Sequence, residues 1–238
     1  MPRSSYAALL IVLTVFGLTG CDDQLGKPAP KIQGTSVDAR PGVKSPPPSN
    51  AALRPEERVL VAFGDSLTAG LGLPSGDTYP ARLQEKLSLA GYRYRVINAG
   101  VSGDTTAGGL RRVEWILKSN PDLVIVELGA NDGLRGLNLR ETQSNLSEII
   151  QRLLAAGSKV VLAGMRLPPN YGAEYTRAFQ AMFSDLAKQY GIPLIPFFLE
   201  GVAAQASLNQ ADGIHPNGSG YAIVVDTIWP TISPLLQK

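Results

Sequence analysis

From residue 58 onward the chain alternates short apolar runs with longer amphipathic stretches. Val59-Leu60-Val61-Ala62-Phe63 stops at Gly64, and Arg95-Val96-Ile97 stops at Asn98-Ala99-Gly100. Leu123-Val124-Ile125-Val126-Glu127-Leu128 stops at Gly129, and Lys159-Val160-Val161-Leu162-Ala163 stops at Gly164. Ile192-Pro193-Leu194-Ile195 is a shorter fifth run. Runs this rich in β-branched residues, with little alternation, predict strands buried on both faces, as in a parallel sheet. Helical spacing connects them over Pro80–Leu89, Glu141–Ala155, Tyr175–Tyr190 and Tyr221–Leu236, with Pro230 and Pro234 expected to interrupt the last. Trp115, Phe179 and Phe183 are expected in the core. Strand alternating with helix predicts an α/β fold: a three-layer α/β/α domain over residues 58–238, with a central parallel sheet and right-handed crossovers.

The first 57 residues follow a different pattern. Arg3 precedes an apolar run from Tyr6 to Leu18, too short to span a bilayer but suited to a signal peptide over residues 1–20. It ends in Leu18-Thr19-Gly20-Cys21, which resembles the bacterial lipobox, in which the leader is cut before a cysteine that then carries lipid. Residues 21–57 hold Pro28, Pro30, Pro41, Pro46, Pro47, Pro48 and Pro55 without apolar periodicity. This composition reads as a disordered tether spanning roughly 30 Å as a flexible coil. The expected location is therefore the bacterial cell envelope, with the membrane as a partner through lipid on Cys21.

Composition narrows the chemistry. The net charge is +2 and no Lys/Arg cluster forms a basic stripe, so nucleic acid is not an expected partner. One Cys and one His allow neither an internal disulfide nor the usual His/Cys zinc site. A carboxylate-only metal site stays open, but no acidic run has calcium-loop spacing, so no metal is expected. The single histidine, His215, is the simplest general base near neutral pH.

Open parallel sheets place their sites beyond the carboxyl ends of the strands. Those positions hold Gly64-Asp65-Ser66-Leu67, Asn98-Ala99-Gly100-Val101-Ser102-Gly103-Asp104 and Gly129-Ala130-Asn131-Asp132, and Asp212-Gly213-Ile214-His215-Pro216 follows near the C-terminus. Serine becomes a nucleophile when a base takes its proton, and a carboxylate can fix the tautomer of that base. Ser66, His215 and Asp212 fill these roles. The Ser66 and Gly103 backbone N–H groups and the Asn131 amide are candidate oxyanion donors. Asp65 and Asp132 are expected to shape their loops through backbone hydrogen bonds, and Asp104 to cap a turn or helix.

Taken together, these four segments resemble the SGNH (GDSL-type) hydrolase superfamily, whose marker residues correspond to Ser66, Gly103, Asn131 and His215. Glu127–Gly136 and Arg166-Leu167-Pro168-Pro169-Asn170-Tyr171-Gly172 look like the bacterial thioesterase I/arylesterase/lysophospholipase subgroup. The resemblance implies a flavodoxin-like fold, no cofactor, and hydrolysis of small-molecule or lipid-derived esters and thioesters. It places Leu167 and Tyr171 beside an acyl pocket. A monomer is expected. The competing readings are a carbohydrate O-deacetylase of the same fold and an inactive, membrane-tethered binding protein. No Gly-x-Ser-x-Gly surrounds any serine, which argues against the α/β-hydrolase elbow.

Overall fold

The computed structural model describes residues 57–238; Cys21, the apolar leader and nearly all of the Pro-rich stretch lie outside the described residues. Five parallel strands, β1 Arg58–Gly64, β2 Tyr94–Gly100, β3 Leu123–Glu127, β4 Lys159–Ala163 and β5 Leu194–Ile195, stand in the order β2-β1-β3-β4-β5. Seven α-helices are described: α1 Ser66–Ala69, α2 Tyr79–Leu89, α3 Thr106–Leu117, α4 Ala130–Leu134, α5 Leu139–Ala155, α6 Ala173–Tyr190 and α7 Gly218–Ile232. α2 and α7 pack together on one face of the sheet, and α3, α5 and α6 pack in a row on the other. This is the predicted three-layer α/β/α arrangement. Among the described residues no helix is long and apolar enough to cross a membrane.

Burial explains the strand composition. Every residue of β3 is buried, and so is every residue of β1 except Arg58, because helices cover both faces of these strands. β2 is an edge strand and only partly buried, which is why its sequence carries Arg95 and Asn98. β5 is reduced to two residues. Pro193 and Pro196 flank it and offer no N–H to extend a ladder.

Two expectations change, and one helix forms where none was predicted. Trp115 is 56% exposed on α3, whereas Phe179 and Phe183 are buried as expected. Trp115 lies off the stripe of Val113 and Ile116, the α3 residues whose side chains face the sheet. α7 runs through Pro230 to Ile232, and only Pro234 stands in the 3-10 turn that follows. Ile228 and Ile232 are fully buried on either side, and their burial outweighs the one hydrogen bond that Pro230 cannot make. Finally, α3 forms although Gly108 and Gly109 lie inside it, a cost of about 1 kcal/mol each relative to alanine. A side chain at Gly109 would collide with Leu128, and one at Gly108 with the Asp104 carboxylate. Close packing against the site thus overrides the poor helix propensity, with Thr105 capping the start through its hydroxyl.

In the strand order 2-1-3-4-5 the chain departs in opposite directions from β1 and β3. Ser66 follows β1 and Asn131 follows β3, so both lie at this switch point.

Candidate active site

Ser66 is the first residue of α1 and is nearly buried at 9% exposure. Asp65 caps that turn by accepting the Leu67 N–H at 3.0 Å. The Tyr221 hydroxyl donates to the Leu67 carbonyl at 2.8 Å and fixes the turn from α7. At the N-terminus of a helix the Ser66 N–H has no intrahelical acceptor.

His215 is brought to Ser66 from the far end of the chain. Its loop is closed by the Gln210 N–H, which donates to the His215 carbonyl at 2.8 Å, and by an antiparallel bridge between Asn209 and Pro216. The Gln210 amide also donates to the Leu71 carbonyl at 2.8 Å, tying this loop to the segment after α1. His215 Nε2 lies 2.8 Å from Ser66 Oγ, and His215 Nδ1 lies 2.7 Å from Asp212 Oδ2. Asp212 Oδ1 accepts the backbone N–H groups of His215 at 3.0 Å and Ile214 at 2.9 Å. These two bonds, reinforced by the imidazole, lower the Asp212 pKa to about 2, so it is a carboxylate throughout the neutral range.

Gly103 has φ +79°, a left-handed conformation that residues with a side chain seldom adopt. Its amide makes no hydrogen bond within the described residues, whereas its carbonyl accepts from Arg135 Nη2 at 2.9 Å. Asn131 Nδ2 donates to Asp65 Oδ2 and to the Asp104 carbonyl, both at 3.0 Å. Direct bonds thus link Asp212, His215 and Ser66, and Asn131 is tied to Asp65, the neighbour of Ser66, and to Asp104, the neighbour of Gly103.

Residues 62–223, about two thirds of the chain, match the GDSL-like Lipase/Acylhydrolase family. The chain belongs to this family. It is 46% identical to the protein named Esterase TesA of Pseudomonas aeruginosa, over 75% of this chain and 90% of that one. It is 40% identical to the Escherichia coli protein named Thioesterase 1/protease 1/lysophospholipase L1, over 75% and 85%. The crystal structure of a protein named TesA superposes with a TM-score of 0.73 at 46% identity, covering 75% of this chain and all of that one.

In this member of the family the two residues expected beside the acyl group differ in setting. Leu167 is buried and packs where a side chain on Gly133 would otherwise lie. Tyr171 is half-buried and donates to the Leu134 carbonyl at 3.0 Å. With Leu139, Ala173, Tyr175 and Ala178 it lines an open depression of about 470 Å³.

Asp65 and Asp132 act on backbone as expected. Asp132 accepts the Thr106 N–H at 2.9 Å and its hydroxyl at 2.6 Å, joining α4 to the start of α3. Asp104 departs from expectation. Thr105 is the cap, and Asp104 forms an ion pair with Arg112 Nε at 2.7 Å, because its side chain points back into the space left by Gly108. Arg112 has no sequence signal of its own, since an arginine in a helical stretch reads as a surface residue.

Glu127 is a second residue that sequence reasoning passed over, though an acid inside an apolar run was the available signal. It is fully buried beneath Ser66, accepts the Thr68 hydroxyl at 2.7 Å and the Asp65 N–H at 3.4 Å, and its Oε1 has no partner. Burial, and then the nearby Asp65 charge, push its pKa well up. Burial likewise raises Asp65 to about 6 against the opposing bonds from Leu67 and Asn131. Burial thus favours the neutral form of Glu127, whereas the charge of Asp65 is supported by the bonds from Leu67 and Asn131.

Proposed function

We propose that this ester hydrolase cleaves carboxylic esters and thioesters through an acyl-enzyme on Ser66, with His215 as general base and Asp212 as the group that orients it. The observation that carries this reading is the unbroken hydrogen-bonded path from Asp212 through His215 to Ser66, with links of 2.7 and 2.8 Å. A carboxylate only accepts, so Asp212 keeps the imidazole proton on Nδ1 and leaves the Nε2 lone pair facing the Ser66 hydroxyl. Nε2 takes that proton as Oγ attacks the acyl carbon. It then returns the proton to the departing alkoxide or thiolate, leaving the acyl group on Oγ. Water, deprotonated by the same Nε2, releases the acid and regenerates the serine.

The tetrahedral oxyanion is received by the N–H groups of Ser66 and Gly103 and by Asn131. Both Asn131 N–H groups already have acceptors, Asp65 and the Asp104 carbonyl. A neutral ester carbonyl competes weakly for such donors, whereas an oxyanion competes well. Asn131 therefore acts mainly in the transition state. Asn131→Ala is expected to lower kcat by about 10²–10³ with little change in KM. Steady-state kinetics that return an unchanged kcat would remove Asn131 from the oxyanion site.

The acyl group lies toward Tyr171, with Leu167 supplying apolar ground beneath Gly133. Two measurements test the overall reading. A fluorophosphonate probe labels Ser66 in an enzyme and leaves an inactive binding protein unlabelled. Hydrolysis of a series of esters and thioesters of increasing acyl length should favour chains beyond acetyl, and activity confined to acetyl esters would shift the reading to the deacetylase.

We further propose that the enzyme is held at a bacterial membrane through lipid on Cys21, on the strength of Leu18-Thr19-Gly20-Cys21 and the preceding apolar run. Intact-mass measurement of the membrane-extracted protein should give a chain beginning at an acylated Cys21, and Cys21→Ser should abolish that species. A wild-type protein with unmodified Cys21 refutes the anchor.

A further inference from the structure

The catalytic reading needs loops from β1, β2 and β3 to keep fixed separations, yet the backbone ladders stop where those loops begin. β1 pairs with β2 as far as Gly64 and Gly100, and with β3 as far as Gly64 and Glu127. Ser66 comes two residues after Gly64 and Gly103 three residues after Gly100. Beyond those pairs one backbone bond remains between the two strand ends, the Val101 N–H donating to the Gly64 carbonyl at 3.1 Å, and the rest of the connection passes to side chains.

One side chain meets most of that need. Arg112, on α3, donates from Nη2 to the Gly64 carbonyl, from Nη1 to the Ala99 carbonyl and from Nε to Asp104 Oδ2, each at 2.7 Å. Its guanidinium centre lies 4.5 Å from the centroid of the Phe63 ring on β1. The Asp104 carbonyl in turn accepts from Asn131 at 3.0 Å. A single planar group therefore bonds the end of the strand that carries Ser66, the strand that leads to Gly103, and the residue beside Gly103 that holds Asn131. The pair is mostly buried, with the Arg112 and Asp104 side chains 19% and 12% exposed. An arginine whose only task was to neutralise Asp104 would have no reason to span two strand ends. The fork geometry of guanidinium satisfies three acceptors in different directions, which a lysine ammonium on its flexible stem does not reproduce.

We propose that Arg112 is a positioning residue that sets the separation between the nucleophile Ser66 and the oxyanion donors Gly103 and Asn131. The proposal rests on the roles assigned to those three residues above. It acts by geometry, through main-chain carbonyls, and leaves substrate binding largely untouched.

The test compares wild type with Arg112→Lys, using ester kinetics together with the rate of Ser66 phosphonylation by a fluorophosphonate, expressed per reactive site. Phosphonylation also develops charge in the oxyanion site, so it reads alignment without an acyl pocket. Arg112→Lys is expected to lower kcat by about 10², the scale of a misplacement near 1 Å, with KM within about threefold of wild type. The phosphonylation rate should fall in parallel, while the number of reactive sites stays at one per folded chain. A residue that served stability alone would reduce the number of sites or the melting temperature without slowing the sites that remain.

Removing the arginine outright strands a mostly buried carboxylate and can unfold the chain. The second variant is therefore the double change Arg112→Ala with Asp104→Ala, which removes both charges and should show the same loss per site. Folded variants that react within about threefold of wild type overturn the role of Arg112. A wild-type protein that does not label brings down the Ser66 assignment, and this proposal with it.

Discussion

Ser66→Ala and His215→Ala are each expected to lower kcat by about 10⁴–10⁶ while the fold persists. In the proposed mechanism Ser66 supplies the attacking oxygen, and no other described hydroxyl shares its 2.8 Å link to the only imidazole in the chain. His215 has no substitute, because the ionisable groups nearest to Ser66 are carboxyls already committed elsewhere. Asp65 holds Leu67 and Asn131, and Glu127 holds Thr68. The two residues act on one proton transfer, so the double variant should lose little more than either single one. Kinetics with an activated ester, alongside circular dichroism, provide the measurement. The Ser66→Ala side chain is smaller at a nearly buried position, so the fold is expected to survive. A folded Ser66→Ala protein that keeps most of its activity would overturn the mechanism.

Asp212→Asn is expected to lower kcat by on the order of 10⁴, the scale seen where an Asp-to-Asn change imposes the wrong histidine tautomer. The geometry gives the reason. Asp212 Oδ1 accepts the N–H groups of Ile214 and His215. In asparagine the carbonyl oxygen must stay there, which turns the amide NH₂ toward His215 Nδ1. Nδ1 then has to accept, the imidazole proton moves to Nε2, and Nε2 meets the Ser66 hydroxyl as a donor instead of a base. The pH profile should change as well. Protonated imidazole cannot act as the base, so activity falls toward acid pH. With its pKa near 2, Asp212 stays a carboxylate across that range and keeps the ring oriented. Asp212→Asn should therefore lower the plateau of this profile throughout. Measurement of kcat/KM against pH for both proteins decides the matter. An unchanged plateau would mean that the orienting carboxylate lies elsewhere.

The segments that carry the site could be read from the chain because each obeys a local rule. Apolar runs ending in glycine marked β1, β3 and β4 to within a residue or so, since strands buried on both faces tolerate few polar residues. Asp212 and His215 stand three residues apart in one loop, so their pairing needs no long-range information. The rule that sites gather at the carboxyl ends of parallel strands marked the segments that hold Ser66, Gly103 and Asn131.

What sequence alone determined was therefore the α/β class, the approximate strands and the residue types that meet. What only the tertiary structure decided was everything held together by close approach between distant segments. α3 was hidden because Gly108 and Gly109 weaken its local signal, and they are there to make room for Asp104 and Leu128. Trp115 is more than half exposed because the helix phase, set by Val113 and Ile116 against the sheet, leaves it at the margin of the buried stripe. Glu127 and Arg112 looked like ordinary charges in the sequence. Only the fold shows one fully buried against Asp65 and Thr68 and the other bonded to two strand ends and Asp104. Local rules specify which side chains a loop presents, but the partners that fix a buried charge come from other strands and helices, and their identity is a property of packing.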